Sequence, residues 1–379
     1  MSQINVRNLS NENEDGAPDI VGVSTFSATS YFVPPVGTTA QRPTNPQGGD
    51  LRFNTDTASL EYFRGDTLNW SQIEMTSPDL DGGARALWGG GHPAINTVEY
   101  STITTLGNAV DFGDITSGRV NLHSVSSRTR GVFVAGGTPT VVNTMDYMTI
   151  SSTGDGLDFG DVTSGRSQSI GTSSQTRGLV GAGGLDPSYT NAISYITIAQ
   201  TGNSVDYGDL TSTGSNGVLG LSACSSSTRS IFAGGALGPG GSTAPNVIEY
   251  STISTTGNTS DFGDLTTSNN NGRALSNSTR GIFVWGSDPS ASPSNYINNI
   301  EYITIATTGN SADFGDSTTN HYSSFGATSS PTRGVFAGGS LQNNISYVTI
   351  LTTGNSVDFG DLITGRSNYT ACSNAHGGL

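Results

Sequence analysis

The chain has 379 residues, a formal net charge of −15 at pH 7 and a sequence pI near 4.4. An acidic surface repels both a nucleic-acid backbone and an anionic membrane, so neither is expected as a partner. All 15 basic residues are arginine, and a 33% hydrophobic fraction with 52 glycines would fit a disordered chain were it not for a strong repeat.

Two cysteines, Cys224 and Cys372, fall in similar registers of different repeats, which predicts separate sheets and no disulfide; the redox compartment stays open. The first residues, Met1 to Arg7, carry no basic n-region and no apolar h-region, and no apolar run is long enough to span a bilayer. The expectation is a soluble chain with no Sec-type export signal and no membrane insertion.

In chain order, residues 1–36 are polar and unpatterned and read as an extended N-terminal arm. Residues 37–80 read as a small β-meander. Its strands are Leu51–Phe53, Ser59–Phe63 and Trp70–Ile73, and its turns are Asn54–Thr57 and Arg64–Asp66. Such a meander is too small to be stable alone and calls for a partner: the rest of the chain, a copy of itself or a larger assembly. The run Tyr31-Phe32-Val33-Pro34-Pro35-Val36-Gly37 continues to Pro43 and is followed by Gly49-Asp50-Leu51-Arg52-Phe53-Asn54-Thr55-Asp56 and Leu60-Glu61-Tyr62. Together they resemble a module of tailed-phage virion proteins, those of marine phages especially, that serve as tail fibres or structural proteins. The resemblance implies an N-terminal piece that docks on other virion proteins and a distal domain that faces outward. It also implies a homo-oligomer in a virion assembled in the host cytoplasm.

Residues 81–379 are built from one phrase used six times: Arg-Gly-(Val/Ile)-Phe-Ala-Gly-Gly, a variable gap, Glu-Tyr-x-Thr-Ile, Thr-Thr-Gly-Asn, then Asp-Phe-Gly-Asp-Leu-Thr. The opening arginines are Arg85, Arg130, Arg177, Arg229, Arg280 and Arg333. The tyrosines are Tyr100, Tyr147, Tyr195, Tyr250, Tyr302 and Tyr347, and successive copies lie 45 to 55 residues apart. Each copy reads as four short strands. In the sixth, Gly334–Gly339 is β-branched and aromatic, and Ile345–Ile350 alternates with period two. Thr353-Gly354-Asn355 then turns the chain into a third strand, Val357–Leu362. A fourth, beginning near Arg366, is made of small residues such as Ala371, Cys372 and Ser373. No useful 3.6-residue apolar period appears, so helix is expected to be essentially absent.

This order of strands resembles the kelch repeat of β-propellers, with Phe or Tyr standing where that family uses Trp. The predicted fold is therefore all-β: a six-bladed β-propeller of four-stranded kelch-like blades, preceded by the arm and the meander. A solenoid or linear array is the other architecture open to such repeats. The first copy, opening at Ala84-Arg85-Ala86-Leu87-Trp88, lacks a small-residue strand of its own, and the last copy has one to spare. The surplus predicts that the C-terminal strand closes the ring in the first blade, with the small-residue strands innermost.

The aspartates of the third strand come in pairs: Asp111 and Asp114, Asp158 and Asp161, Asp206 and Asp209, Asp261 and Asp264, Asp313 and Asp316, Asp358 and Asp361. Two carboxylates per phrase are too few for a calcium loop. The structural reading is turn capping and bidentate pairing with Arg119, Arg166, Arg273 and Arg366. Glu99, Asp146, Glu249 and Glu301 precede the repeat tyrosine, and Asp155 takes the Asn place of a Gly-Asn turn. His92, His123, His321 and His376 lack metal-ligand spacing, and no nucleophile elbow, phosphate loop or Cys-x-x-Cys is found. No catalytic residue, cofactor or metal is assigned, and the chain is read as a binding module and not as an enzyme.

Loop lengths then divide the two faces of the predicted ring. The joints before each Arg-Gly and the Thr-Gly-Asn turns are constant; the loops after Gly-Gly and after Asp-Phe-Gly-Asp vary and fall on one face. Candidate binding residues there are His92, Asp186, Tyr189, Asp288, Tyr296, His321 and Tyr322. The function so read is a phage tail fibre or adhesin that presents this face to a host surface glycan or protein. The rivals are a capsid, neck or collar decoration protein without receptor role, a propeller-type polysaccharide-degrading enzyme and a cellular kelch scaffold.

Overall fold

The glycine-punctuated repeats give all-β structure in the computed structural model of the chain. It describes residues 34–57, 59–65, 69–73, 84–137, 139–185, 188–212, 217–238, 244–288, 295–319 and 325–379. The sequence-predicted arm lies almost wholly outside the described residues. The chain divides into two compact units, Met1–Thr76 and Ser77–Leu379.

In the first unit the meander strands are Leu51–Asn54, Ser59–Phe63 and Trp70–Gln72, close to the predicted bounds. A fourth strand, Val36–Gly37, pairs parallel to Leu51–Asn54 and was not anticipated. Burial here is partly ionic. Glu61 is fully buried between Arg42 at 2.6 Å and Arg52 at 3.3 Å, and it also accepts a bond from Asn54 Nδ2. The hydrogen bond from Arg42, aided by Asn54 and Arg52, holds the Glu61 carboxyl below its ordinary value against the opposing effect of burial.

Among the described residues the second unit contains six four-stranded antiparallel sheets with one plan. The small-residue strands are His123–Ser126, Ile170–Ser173, Ser222–Ser225, Arg273–Ser276, Gly326–Ser329 and Thr370–Ser373. Each pairs with the strand that opens on the repeat arginine, which pairs with the tyrosine strand, which pairs with the Asp-aromatic-Gly-Asp strand. Thr370–Ser373 pairs with Arg85–Gly89, Cys372 opposite Leu87, so the last strand of the chain completes the sheet of the first repeat. The two cysteines are buried in different sheets and free. Burial pushes both thiols up to about 12, which makes them packing residues and not nucleophiles.

The Asp-aromatic-Gly-Asp phrase encodes a β-bulge. In the first repeat Val98 faces Gly113 and Glu99 faces Asp111, which leaves Phe112 as the extra residue, turned into the core edge-on to Tyr100. The glycine that follows has φ between +132° and +151° in all six copies, a conformation glycine adopts at no steric cost. At Gly360 a Cβ would also stand 2.5 Å from Gly107 O of the first repeat. Gly360→Ala is therefore expected to lower stability by about 2 kcal/mol or more in a urea titration. A variant that unfolds like wild type would contradict this role for the glycine.

Candidate functional site

The repeat residues make four sets of contacts that pass from sheet to sheet and return to the start. The last serine of every small-residue strand donates its hydroxyl to the carbonyl of the one before. Ser126 bonds Ser373, Ser173 bonds Ser126, Ser225 bonds Ser173, Ser276 bonds Ser225, Ser329 bonds Ser276 and Ser373 bonds Ser329, all at 2.6–2.8 Å. Each opening arginine stacks over the tyrosine of its own sheet at 4.3–4.7 Å. The same guanidinium donates to an isoleucine carbonyl of the next sheet: Arg85 to Ile150, Arg130 to Ile198, Arg177 to Ile253, Arg229 to Ile305, Arg280 to Ile350 and Arg333 back to Ile103.

The glycine after that arginine leaves room for a neighbour: a Cβ at Gly131, Gly178, Gly281 or Gly334 would meet Cys372, Val125, Cys224 or Leu275 of the preceding sheet. The Gly-Asn turns complete the pattern. Gly107 N–H donates to Phe359 O, and Gly154, Gly202, Gly257, Gly309 and Gly354 do the same to Phe112, Phe159, Tyr207, Phe262 and Phe314, at 2.7–3.0 Å. The adjoining Asn or Asp accepts the N–H of the second aspartate of the facing phrase at 3.0 Å, Asp155 serving as well as its asparagine counterparts.

Two expectations are corrected here. The phrase aspartates do not pair with arginines: among the described residues none of the twelve takes part in an ion pair. Asp111, Asp158, Asp206, Asp261, Asp313 and Asp358 are exposed on the edge strand of each sheet, where charge opposes edge-to-edge association. The arginines instead reach the acids before the tyrosine. Arg119 pairs with Asp146 and Arg366 with Glu99, both pairs buried. Burial raises the Asp146 carboxyl and lowers the Arg119 guanidinium from their ordinary values, each against the pull of its partner. Arg166, whose repeat has Ser194 where others have an acid, bonds carbonyls such as Ala192 O, and burial brings it down to about 10.

Arg273 is the second correction. It is no counterpart of Arg119; it heads a small-residue strand, in the register of His123. Asn269 holds the Arg119 place, because Asn269 and Arg119 each stand two residues before a positive-φ asparagine, Asn271 or Asn121.

Described residues of the variable loops pair with one another in ways the sequence did not indicate. In five repeats the join entering the small-residue strand bridges to the loop after Gly-Gly. The pairs are His92 with Ser367, Val120 with Gly137, Ser167 with Gly184, Leu219 with Ala236 and Asn270 with Ser287. Tyr189 is not a loop residue: it begins strand Tyr189–Thr197, pairs with Gly184 and is half-buried beside a cleft lined by Asn121, Gln168 and Leu219. Asp288 and Tyr296 likewise fall in a short hairpin, Ser287–Asp288 against Asn295–Tyr296. His92 is exposed, its N–H bonded to Ser367 O at 2.7 Å. Asp186, His321 and Tyr322 lie outside the described residues. His92 and Tyr189 belong to different repeats. The joins are stitched together as well: Asn121 N–H bonds Asn368 O, Gln168 N–H bonds Asn121 O, and Asn271 N–H bonds Gly220 O, with all five residues at positive φ.

The small-residue strands surround a cavity of about 60 Å³ lined by residues such as Ser124, Ala223, Cys224 and Ala371. At its serine-ring end the C-terminal segment enters, which sequence reading missed. His376 Nε2 donates to Ser126 O at 3.2 Å and lies 3.2 Å from Ser173 Oγ, while its Nδ1 accepts Gly378 N–H. With both ring nitrogens committed in this way the imidazole is neutral, and burial brings it from 6.5 down to about 4. A folded-state value below the unfolded one means that the unfolded chain binds the extra proton. This contribution to stability is thus intact above pH 6.5 and is lost as pH falls from 6.5 to about 4. His123, also lowered by burial, acts with the same sign. Melting temperature should therefore drop less steeply across this window in His376→Gln than in wild type; parallel curves would show that the ring is not held neutral.

Among the described residues no three His, Cys, Asp or Glu side chains form a group that could hold a metal ion. No known protein-family model matches the chain, and no curated protein matches it either.

Proposed function

We propose that the six sheets are the blades of a closed, six-bladed, kelch-like β-propeller, and that the chain is a structural protein of a phage virion, a tail fibre or adhesin. On this reading residues 37–80, with the arm 1–36, dock on other virion proteins, and residues 81–379 turn the variable face toward a host surface glycan or protein. The observation that carries the reading is the division of labour between the two ends of each sheet. Serine, arginine and Gly-Asn contacts repeat in all six copies, so the scaffold constrains those positions alike. The opposite ends carry loops that differ in length and are held by extra bridges, as binding loops on a rigid scaffold are. The resemblance of the N-terminal module to tailed-phage proteins supplies the particle. A display role without catalysis agrees with the neutral, packed state of the histidine and cysteines described above.

Peptide mass spectrometry of purified particles, with labelling of the chain by antibody in electron micrographs, tests the assignment. The expected result is a stoichiometric virion component labelled on the tail. Recovery of the chain only from the soluble host fraction would overturn it.

A further inference from the structure

The end of the cavity away from the serine ring holds an uncompensated cation. Arg273 and His123 head their strands in sheets three steps apart along the six-member cycle, so they approach the cavity from opposite sides. Both line the same space, with Ser124, Ala223 and Ala274. Arg273 is 7% exposed, yet its hydrogen bond is a single one, to Gly272 O at 2.9 Å, and it makes no ion pair among the described residues. Arg119 and Arg366, fully buried, each have a carboxylate. His123 is 3% exposed and its Nε2 has no partner. Burial brings the guanidinium down only to about 10, so it is charged at neutral pH, and the imidazole beside it is neutral with an N–H to give. A buried charge without a counter-charge is costly, and a buried polar nitrogen without a partner adds to the penalty. Both are relieved by one negative charge placed between them.

We propose that this cavity binds a single small anion, held by the Arg273 guanidinium and the His123 ring N–H. The space of about 30 Å³ admits a halide ion or one carboxylate group but not a sugar ring. The anion is either a free ion or the charged head of a larger ligand lying across the variable face. Because the site rests on the cavity alone, it stands whether or not the protein mediates attachment.

The test is thermal melting of the full chain at constant ionic strength, with sodium MES replaced stepwise by bromide, acetate or glucuronate. The expected result is a saturable rise that reaches ~5 °C well above half-saturation, as for a ligand that binds only the native state. Arg273→Gln should abolish the rise and His123→Phe should reduce the apparent affinity at least about tenfold, the loss of one strong hydrogen bond to a charge. Should Arg273→Gln fail to fold, bromide anomalous scattering from wild-type crystals replaces it, with a peak expected beside Arg273. A response to bromide and acetate alone supports a resident ion, and one to glucuronate as well supports a ligand head group. No saturable rise with any of the three, a rise retained in Arg273→Gln, or no bromide peak beside Arg273 overturns the proposal.

Discussion

Deleting residues 366–379 should convert a stable protein into one that aggregates or melts at least ~10 °C lower. The segment removes the strand Thr370–Ser373 from the sheet of the first repeat and exposes the Arg85–Gly89 edge, a row of unpaired backbone groups ready to bind another chain. It also removes Ser373 from the serine cycle, Asn374 Oδ1 from Arg85 N–H, and the His376 contact with Ser126 O. Arg366 is lost with them, and Glu99 is left buried. Five contacts fail together, each joining residues more than 200 positions apart in the chain or closing the cycle. A truncated chain that melts like the full one would refute closure by the C-terminal strand.

Arg366→Met should cost about 3–5 kcal/mol in urea unfolding, the range for stranding a buried charge. Arg366 donates to Glu99 and to the carbonyls of Gly90 and Thr97. Once it is gone Glu99 retains only the N–H of Ile363, at 2.8 Å. The other repeats show why this matters. Glu249 survives without an arginine because Thr211 N–H, Ser212 N–H and the Thr259 hydroxyl satisfy it. Arg166 survives without an acid because carbonyls accept its protons. Glu99 has neither arrangement to fall back on. Neutralising it in the double variant Glu99→Gln with Arg366→Met should recover part of the loss. A single variant as stable as wild type would show that the pair contributes nothing, and a double variant no better than the single would show that the stranded carboxylate is not the cause.

The repeat made the strands and their order readable, because period-two patterning and Gly-Asn turns are local signals. It also made the closing strand readable, since the first copy lacks what the last has over. Partners were harder to read than positions. Arg119 lies in a join and Asp146 on a strand 27 residues further on, so repetition shows that both matter without showing that they meet, and the nearer phrase aspartates were the wrong choice. Arg273 was misassigned because an arginine stands near the expected spot but four residues late in structural register, in the place of His123, while Asn269 takes the Arg119 place. The bridges among the variable loops, the parallel strand Val36–Gly37 and the entry of His376 into the cavity depend on contacts between distant segments that have no periodicity to betray them.

The proposal that the variable-loop face binds a host surface is tested most directly by attachment of the labelled full chain to host cells. In one variant the long loops after Gly-Gly are replaced by the short sixth-repeat segment Ser340-Leu341-Gln342. In the other, exposed residues of the constant face are changed, Ser152→Arg with Thr352→Arg. The expected result is saturable binding by wild type, undiminished binding by the constant-face variant and loss of binding by the loop variant while its melting temperature is retained. Equal attachment by a folded loop variant and wild type would contradict the account.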